Sequence, residues 1–127
     1  MKAANDPRHQ RRRNAVRELF AVSFNKNQTV SDLAREITRQ EDQLDGLISI
    51  NAPEWPLDKL NRVDLAILQL AVYELTIEKK EPVKVVIDEA VELAKEMGSE
   101  NSPGFVNGVL GSIVKGQSSE GSEKQNG

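Results

Sequence analysis

The most apolar part of the chain is the segment VDLAILQLAVYEL, residues 63–75. If this segment is helical, apolar side chains occupy nearly every side of the helix, whereas a surface helix has a single apolar stripe. A helix that is apolar all round is covered by other helices. We therefore expect residues 63–78 to form the central helix of an all-α fold.

Two helices are predicted on the N-terminal side of this segment. Pro7 can open the first one, because the amide hydrogen that proline lacks would have no intrahelical partner at that position. Apolar residues three and four positions apart continue the helix to about Phe24. The second helix is expected to begin at Thr29 or Ser31, either of which can cap it, and to end before Pro53.

The C-terminal side predicts a short turn at residues 56–60 and two further helices. The first of these covers residues 83–97 and is expected to stop at Gly98, because glycine readily adopts the left-handed conformation that closes helices. The second is expected to begin at Ser102, which is followed by a proline suited to the first turn.

Length and composition predict a single domain with a short tail. A chain of 127 residues fits one compact core, and the alternation typical of strands is scarce. We expect residues 1–115 to form one compact bundle of about five to six helices. Its two small subdomains would cover about residues 7–50 and 55–115. Residues 116–127 contain no apolar side chain, so a disordered tail is expected there.

Composition argues against several classes of function. The chain has no cysteine and one histidine, so neither a disulfide nor a metal site with sulfur or nitrogen ligands is expected. No stretch approaches the roughly 20 apolar residues of a membrane span, and the N-terminus lacks the apolar segment of a secretory signal. We expect a cytoplasmic protein that needs no cofactor and does not bind a membrane.

Charge is distributed unevenly along the chain. Residues 1–17 carry six basic side chains and one acidic side chain, although the whole chain has a net charge of -3. A basic segment on an acidic protein indicates an anionic partner, most often nucleic acid.

The basic segment contains the run RHQRRR, which predicts contact with RNA. Arginine suits phosphate because its planar fork donates two hydrogen bonds at once and stays charged. No later helix is basic enough to read the major groove of a duplex, so single-stranded RNA is favoured. Phe20 and Phe105 are candidates for stacking on bases, although phenylalanine is more often part of a core. Four arginines are expected at the exposed beginning of the first helix: Arg8, Arg11, Arg12 and Arg13.

No catalytic constellation is evident, and an enzyme is not expected. Asp88, Glu89 and Glu92 could bring two carboxylates together for acid and base chemistry. Acidic residues in the first turns of a helix also interact favourably with its dipole, and this interpretation is preferred. His9 lies beside the arginines in an end expected to be mobile, where it is a neighbour of phosphate or has no role, so no Ser-His-Asp set can be proposed.

Three glycines, Gly104, Gly108 and Gly111, share one face of the last predicted helix. Each costs about 1 kcal/mol relative to alanine inside a helix. The close approach of a neighbouring helix or of an RNA backbone could offset this cost. Close helix packing is the favoured interpretation.

Four segments of the C-terminal part resemble the NusB antitermination family. They occur in the family's order and spacing: WPLDKL at 55–60, VDLAILQLAVYEL at 63–75, PVKVVIDEAVELAK at 82–95 and FVNGVL at 105–110. The segment RRRNAVRELF, residues 11–20, is similar to the arginine-rich opening helix of the family, with Phe20 where a tyrosine is usual.

This resemblance implies a helical protein in two subdomains that binds the boxA element of ribosomal RNA leader transcripts. It would do so together with NusE, a small-subunit ribosomal protein, and join the RNA polymerase elongation complex. Suppressed termination and aided maturation of ribosomal RNA would follow. By matching positions, the implied RNA-binding residues are Arg8, Arg11, Arg12, Arg13, Phe20, Lys84, Lys95, Asn101, Ser102, Phe105 and Asn107. The implied partner-binding residues are Asp58, Asp64 and Glu74.

The chain departs from the family pattern in three ways. It is shorter between the first helix and Leu44, as though one N-terminal helix were missing. Arg13 and Asn101 stand where the family often has acidic residues, and the loss of negative charge predicts tighter RNA binding. Two alternatives remain open: a protein-interaction module that has lost RNA binding, and a NusB-like appendage of a ribosomal RNA cytosine methyltransferase.

Overall fold

The computed structural model describes the backbone of residues 6–126 and the side chains of residues 6–117. Within these residues the fold contains helices and no strand, which confirms the predicted all-α class. The helices are α1 (Pro7–Phe24), α2 (Asp32–Arg39), α3 (Glu41–Asn51), α4 (Arg62–Tyr73), α5 (Val83–Met97) and α6 (Ser102–Asn126). A 3-10 turn at Leu57–Lys59 precedes α4, and a π-helical turn at Glu74–Glu78 follows it.

Local capping explains where several of these helices begin. The carboxylate of Asp6 accepts a hydrogen bond from the backbone N–H of Arg8, and Pro7 follows in the first turn of α1. The hydroxyl of Ser31 accepts from the N–H of Ala34 and so caps α2. These interactions join neighbours in the sequence, so the beginnings of α1 and α2 lie where they were predicted.

The second predicted helix is divided into α2 and α3 at Gln40. The N–H of Gln40 still bonds to carbonyls of α2, including that of Glu36 at 3.2 Å, but its ψ of 10° is not helical and turns the chain. The division has a packing cause. Helix α2 packs against α1, whereas α3 packs against α4 and α6, and one straight helix could not reach both neighbours.

Helix α4 occupies the centre of the bundle, as predicted. It contacts α1, α2, α3, α5 and α6. Ile67, Leu68 and Val72 are fully buried in the resulting core. This burial accounts for the apolar residues on nearly all sides of α4, because every face of the helix meets another helix.

The predicted helix over residues 63–78 changes type at Glu74. The N–H of Lys79 bonds to the carbonyl of Glu74 at 2.9 Å, which closes a wider, π-helical turn. Lys79 then adopts a left-handed φ of 54° and ends the helix. Glu74 is 4% exposed and therefore belongs to the interior.

Two expectations about glycine are wrong. Gly98 ends α5 with a φ of -93°, not in the left-handed region. A Cβ there would lie 2.5 Å from Oγ of Ser102, so glycine is required by close packing. Gly104, Gly108 and Gly111 face solvent, and a Cβ at each would meet nothing within 4 Å. Close helix packing therefore does not explain these three glycines.

Helix α6 extends through residues 116–126, where the sequence predicts a disordered tail. The side chains from residue 118 onward, and residue 127 as a whole, lie outside the described residues. The disorder of residues 116–127 in solution stays a prediction.

Candidate nucleic-acid interface

The arginine-rich beginning of α1 has an exposed side and a buried side. The side chains of Arg8 and Arg11 are 72% and 56% exposed. Arg8 approaches Asp6 and Glu81, and Arg11 approaches Glu78, in each case only to 3.9 Å. These two guanidiniums remain available to an anion in solvent.

Arg12 lies on the buried side, which corrects the expectation that it is exposed for RNA. It is 6% exposed. Its Nε and Nη2 donate to the two carboxylate oxygens of Glu74 at 2.9 and 2.7 Å, and its Nη1 donates to Glu89 at 3.3 Å. The bond to Glu74 is the main cause of a raised pKa for Arg12. Arg12 is an internal cation that joins α1 to the π-helical turn and to α5.

His9 is also buried, although it was expected in a mobile end. It is 3% exposed, and its Nδ1 lies 3.1 Å from Oε1 of Glu89. Its Nε2 lies 2.6 Å from Oε1 of Glu96. Burial lowers the pKa of His9, but the hydrogen bonds with Glu89 and Glu96 outweigh burial, so this pKa is raised above 6.5.

Arg13 shares an acceptor with His9. Its Nη2 donates to Oε2 of Glu96 at 2.9 Å, and its side chain is 17% exposed. The charge of Arg13 is thus paired with that of Glu96, and Arg13 is less available to phosphate than Arg8 or Arg11.

The residues predicted on α5 and α6 are mostly exposed. The side chains of Lys84 and Lys95 are 85% and 60% exposed, and each pairs with an acidic neighbour on α5. Asn101 and Asn107 are exposed, whereas Phe105 is half-buried against the core.

Ser102 does not fit the predicted role in RNA contact. It is 0% exposed, and its Oγ accepts a hydrogen bond from the N–H of Ser99 at 2.9 Å. Ser102 therefore organises the turn between α5 and α6.

The aromatic residues at the end of α1 form a group that the sequence predicted only in part. Phe20 is 36% exposed, and its ring meets the edge of Phe24 at a centroid distance of 5.0 Å. The guanidinium of Arg62 lies 4.2 Å from the centre of the Phe24 ring. Phe24 and Arg62 were missed, although the four-residue spacing of the two phenylalanines was visible in the sequence.

Two of the three residues predicted for the partner surface are buried. Asp64 is 7% exposed and Glu74 is 4% exposed, which corrects the expectation that both lie on an acidic surface. Burial raises the pKa of Asp64, while a hydrogen bond with Ser102 acts in the opposite direction. Asp58 alone of the three is exposed.

Asp58 lines a groove between α3 and α4 that the sequence did not reveal. Glu41 and Asp45 line the same groove, and burial together with nearby acidic side chains raises the pKa of both. We call it the α3–α4 groove. Its charged lining residues are Lys26, Arg39, Glu41, Asp42, Asp45, Asp58 and Arg62.

The described part of the chain was predicted to hold neither a metal site nor a membrane span. It contains no group of three acidic or histidine side chains placed to hold a metal ion. Among the described helices, none is long and apolar enough to cross a bilayer. Asp88 pairs with Lys84 at 3.1 Å and Glu89 with Arg12 at 3.3 Å, so both carboxylates have structural partners.

The fold and this surface define a class of protein. The described part of the chain has six helices, and the first of them is basic on its exposed side and anchored by buried charged residues. Comparison with known proteins identifies the family. The model of the NusB family matches residues 4–115, and the chain belongs to that family.

Individual relatives agree with this assignment. The transcription antitermination protein NusB of Chloroflexus aggregans is 55% identical over 73 residues, which are 56% of this chain and 49% of that protein. The match thus spans about half the length of that relative. The solved structure of T. maritima NusB is 35% identical with a TM-score of 0.78, and covers 91% of this chain and 93% of its own. The missing N-terminal helix stays a prediction.

A further solved structure contains antitermination factors NusB and NusE in complex with dsRNA. It is 25% identical to this chain, with a TM-score of 0.72. The alignment covers 87% of this chain and 99% of that one.

Proposed function

We propose that this chain is an RNA-binding transcription antitermination factor that acts by assembly, without chemistry of its own. Its membership of the NusB family supports the proposal. The observation that carries it is the pair of exposed guanidiniums, Arg8 and Arg11, on the first turns of α1, in a fold shared with a NusB protein solved together with NusE and RNA.

The proposed ligand is a single-stranded, boxA-type sequence of a ribosomal RNA leader, bound jointly with NusE. This assembly would act on the RNA polymerase elongation complex and promote processive transcription and maturation of ribosomal RNA. A single strand is favoured because, among the described residues, none of the helices after α1 presents a row of basic residues for a duplex groove. The RNA of the similar complex is described as double-stranded, so a duplex belongs in the test.

The proposed RNA surface is chosen from those predicted RNA-binding residues whose side chains are accessible to solvent. Arg8 and Arg11 would bind phosphates, because exposed guanidiniums form charge-assisted hydrogen bonds at small desolvation cost. Exposed residues of α5, of the turn before α6 and of α6 would extend this surface, together with half-buried Phe105: Lys84, Lys95, Asn101 and Asn107. Arg12 and Ser102 would act from inside, by holding the helices that carry the contacts.

The proposed NusE surface is the α3–α4 groove. Asp58 is the one exposed member of the acidic set predicted for partner binding, and it lies there with three further acidic residues. These four acidic residues outnumber the three basic ones in the groove, and the carboxylates of α3 repel one another, so a cationic partner is favoured.

Fluorescence anisotropy with a labelled boxA-like RNA tests the proposal, with and without NusE and with a duplex of the same sequence. The double variant Arg8→Ala/Arg11→Ala should bind more weakly. The slope of log affinity against log salt should fall by about 1.4, which corresponds to two lost phosphate contacts on a single strand.

The matched control is Arg35→Ala/Arg39→Ala, which removes two arginines of similar exposure, 58% and 66%, from α2. It is measured with RNA alone, because Arg39 also lines the α3–α4 groove, and it should then change neither affinity nor slope. Equal losses in both double variants would show that binding follows total charge, and a wild type that binds no RNA at any salt would contradict the proposed function.

A further inference from the structure

His9 is the single histidine of the chain, and it lies where the beginning of α1 meets α5. Both of its ring nitrogens face carboxylates, Glu89 at 3.1 Å and Glu96 at 2.6 Å. A neutral imidazole has one N–H donor and one lone pair, whereas an imidazolium has two donors. Only the imidazolium can donate to both carboxylates, since a neutral ring would turn the lone pair of one nitrogen toward a carboxylate.

A proton on His9 adds a cation to a cluster of opposite charges in the described part of the chain. The cluster joins His9, Arg12 and Arg13 from α1 to Glu74, Glu89 and Glu96 from the π-helical turn and α5. Asp6, which caps α1, is a further anion nearby. Loss of the proton would remove a positive charge that faces the carboxylates of Glu89 and Glu96, and such a loss costs more in a buried place than at the surface.

The first turns of α1 are held mainly by this cluster. The buried residues of α1 are His9, Arg12, Ala15, Val16 and Leu19. Before Ala15, therefore, the buried side chains in the described part of the helix are His9 and Arg12, and both make ionic contacts. Arg8 and Arg11 lie on this same segment, so their positions depend on ionic contacts more than on apolar packing.

We propose that His9 is a positioning residue for RNA binding: its imidazolium holds the first turns of α1 against α5 and so fixes the guanidiniums of Arg8 and Arg11. This inference rests on the proposed function. His9 is 3% exposed and would not touch RNA itself. RNA affinity would nevertheless depend on its protonation.

The expected direction follows from linkage. Burial alone would lower the pKa of His9, but its bonds with Glu89 and Glu96 raise it above 6.5. The stabilisation by His9 is then complete below pH 6.5 and is lost as the pH rises through the raised pKa of the folded protein. RNA affinity should fall in that same upper range, while RNA phosphates keep their charge.

The first test is an NMR titration of the wild-type protein, in which one histidine gives one unambiguous imidazole signal. We expect a pKa above 6.5 and two slowly exchanging ring N–H protons at pH 6. A pKa at or below 6.5, or a ring with one protected N–H, would overturn the proposal without using RNA.

The second test measures RNA affinity from pH 6 to pH 9 for the wild type, His9→Gln and His9→Lys. The wild type should lose about fivefold or more across this range. His9→Gln should bind RNA weakly at every pH, with no such step. This variant keeps the α-amino group of the chain, so it controls for any titration of that group. His9→Lys, which stays charged, should restore affinity without the step.

An undiminished step in His9→Gln would overturn the inference. If His9→Gln fails to fold, hydrogen exchange of the wild-type amides at residues 8–13 supplies the answer. Exchange should accelerate with pH beyond its intrinsic dependence, and an unchanged protection would also overturn the proposal. If the wild type binds no RNA at any pH, the proposed function fails, and the titration still decides whether His9 is held as the structure places it.

Discussion

Arg12 binds Glu74 through two parallel hydrogen bonds, from Nε to Oε2 at 2.9 Å and from Nη2 to Oε1 at 2.7 Å. The two residues are 62 positions apart in the sequence, and both are buried. The pair joins the opening helix to the π-helical turn after the central helix. Arg12, which was predicted to contact RNA, is therefore a structural residue.

Replacing Arg12 should therefore affect folding before it affects RNA. Arg12→Ala leaves the buried carboxylate of Glu74 without its main cation and removes one cation from Glu89, and we expect a loss of about 3–5 kcal/mol in the free energy of unfolding. Urea denaturation measures this loss. Arg35→Ala, which breaks an exposed pair on α2, should change it by about 0.5 kcal/mol or less. Similar small losses in both variants would contradict a structural role for Arg12.

Asp64 should reduce stability at neutral pH. Its Oδ1 is buried without a hydrogen-bond partner in the described residues, and burial raises its pKa above 3.8. A carboxyl with a raised pKa destabilises the folded state progressively as the pH rises from the unfolded value through the folded one. Asp64→Asn should thus gain about 1 kcal/mol at pH 7 and nothing near pH 3, where aspartate is already protonated. Thermal unfolding at the two pH values decides, and an equal effect at both would contradict the electrostatic cause.

Asn101 has no charge, and we expect an uncharged residue at this position to favour RNA binding. Asn101→Asp places a carboxylate in the exposed turn before α6, and we expect a few-fold loss of RNA affinity at low salt that disappears at high salt. Asn27→Asp, in an exposed position just beyond the other end of α1, is the matched control and should have no effect. A loss that persists at high salt would indicate a change of structure instead of charge repulsion.

Charge reversal in the α3–α4 groove should weaken NusE binding selectively. Asp42→Lys/Asp58→Lys is expected to reduce NusE affinity about tenfold, mainly through slower association, and to leave binding of RNA alone unchanged. Surface plasmon resonance with immobilised NusE measures both rates. Asp32→Lys/Glu54→Lys, at exposed positions outside the groove, makes the same change in net charge and is the control. Normal NusE binding by the double variant would place the partner surface elsewhere.

Much of the fold could be predicted because its signals are local. Caps at Asp6 and Ser31 set the beginnings of α1 and α2, and the apolar surface of residues 63–75 marked the centre of the bundle. The break at Gln40 was missed because it results from packing α2 and α3 against different neighbours. The exposed glycines of α6 were misread for a similar reason, since spacing alone does not show which face meets another helix.

The candidate site was predicted as a segment but not residue by residue. Arg8, Arg11, Lys84 and Asn101 are exposed as expected, whereas Arg12 and Ser102 are buried. A signal for Arg12 was present, because it lies four positions before buried Val16 on the same stripe of α1. The positive charge of Arg12 nevertheless favours an exposed position, since an arginine is rarely buried unless it is paired.

The sequence by itself determined that the chain is helical, where most helices begin, that its opening helix is rich in arginine and which family it belongs to. The helices and the arginine-rich beginning depend on periodicity, capping and composition, which act between near neighbours, whereas the family follows from the resemblance of whole segments. Only the tertiary structure decided which cations face inward. The carboxylates that neutralise Arg12 and His9 lie 62 to 87 residues further along the chain, and burial of a charge is stable only where the fold brings such partners within hydrogen-bond distance.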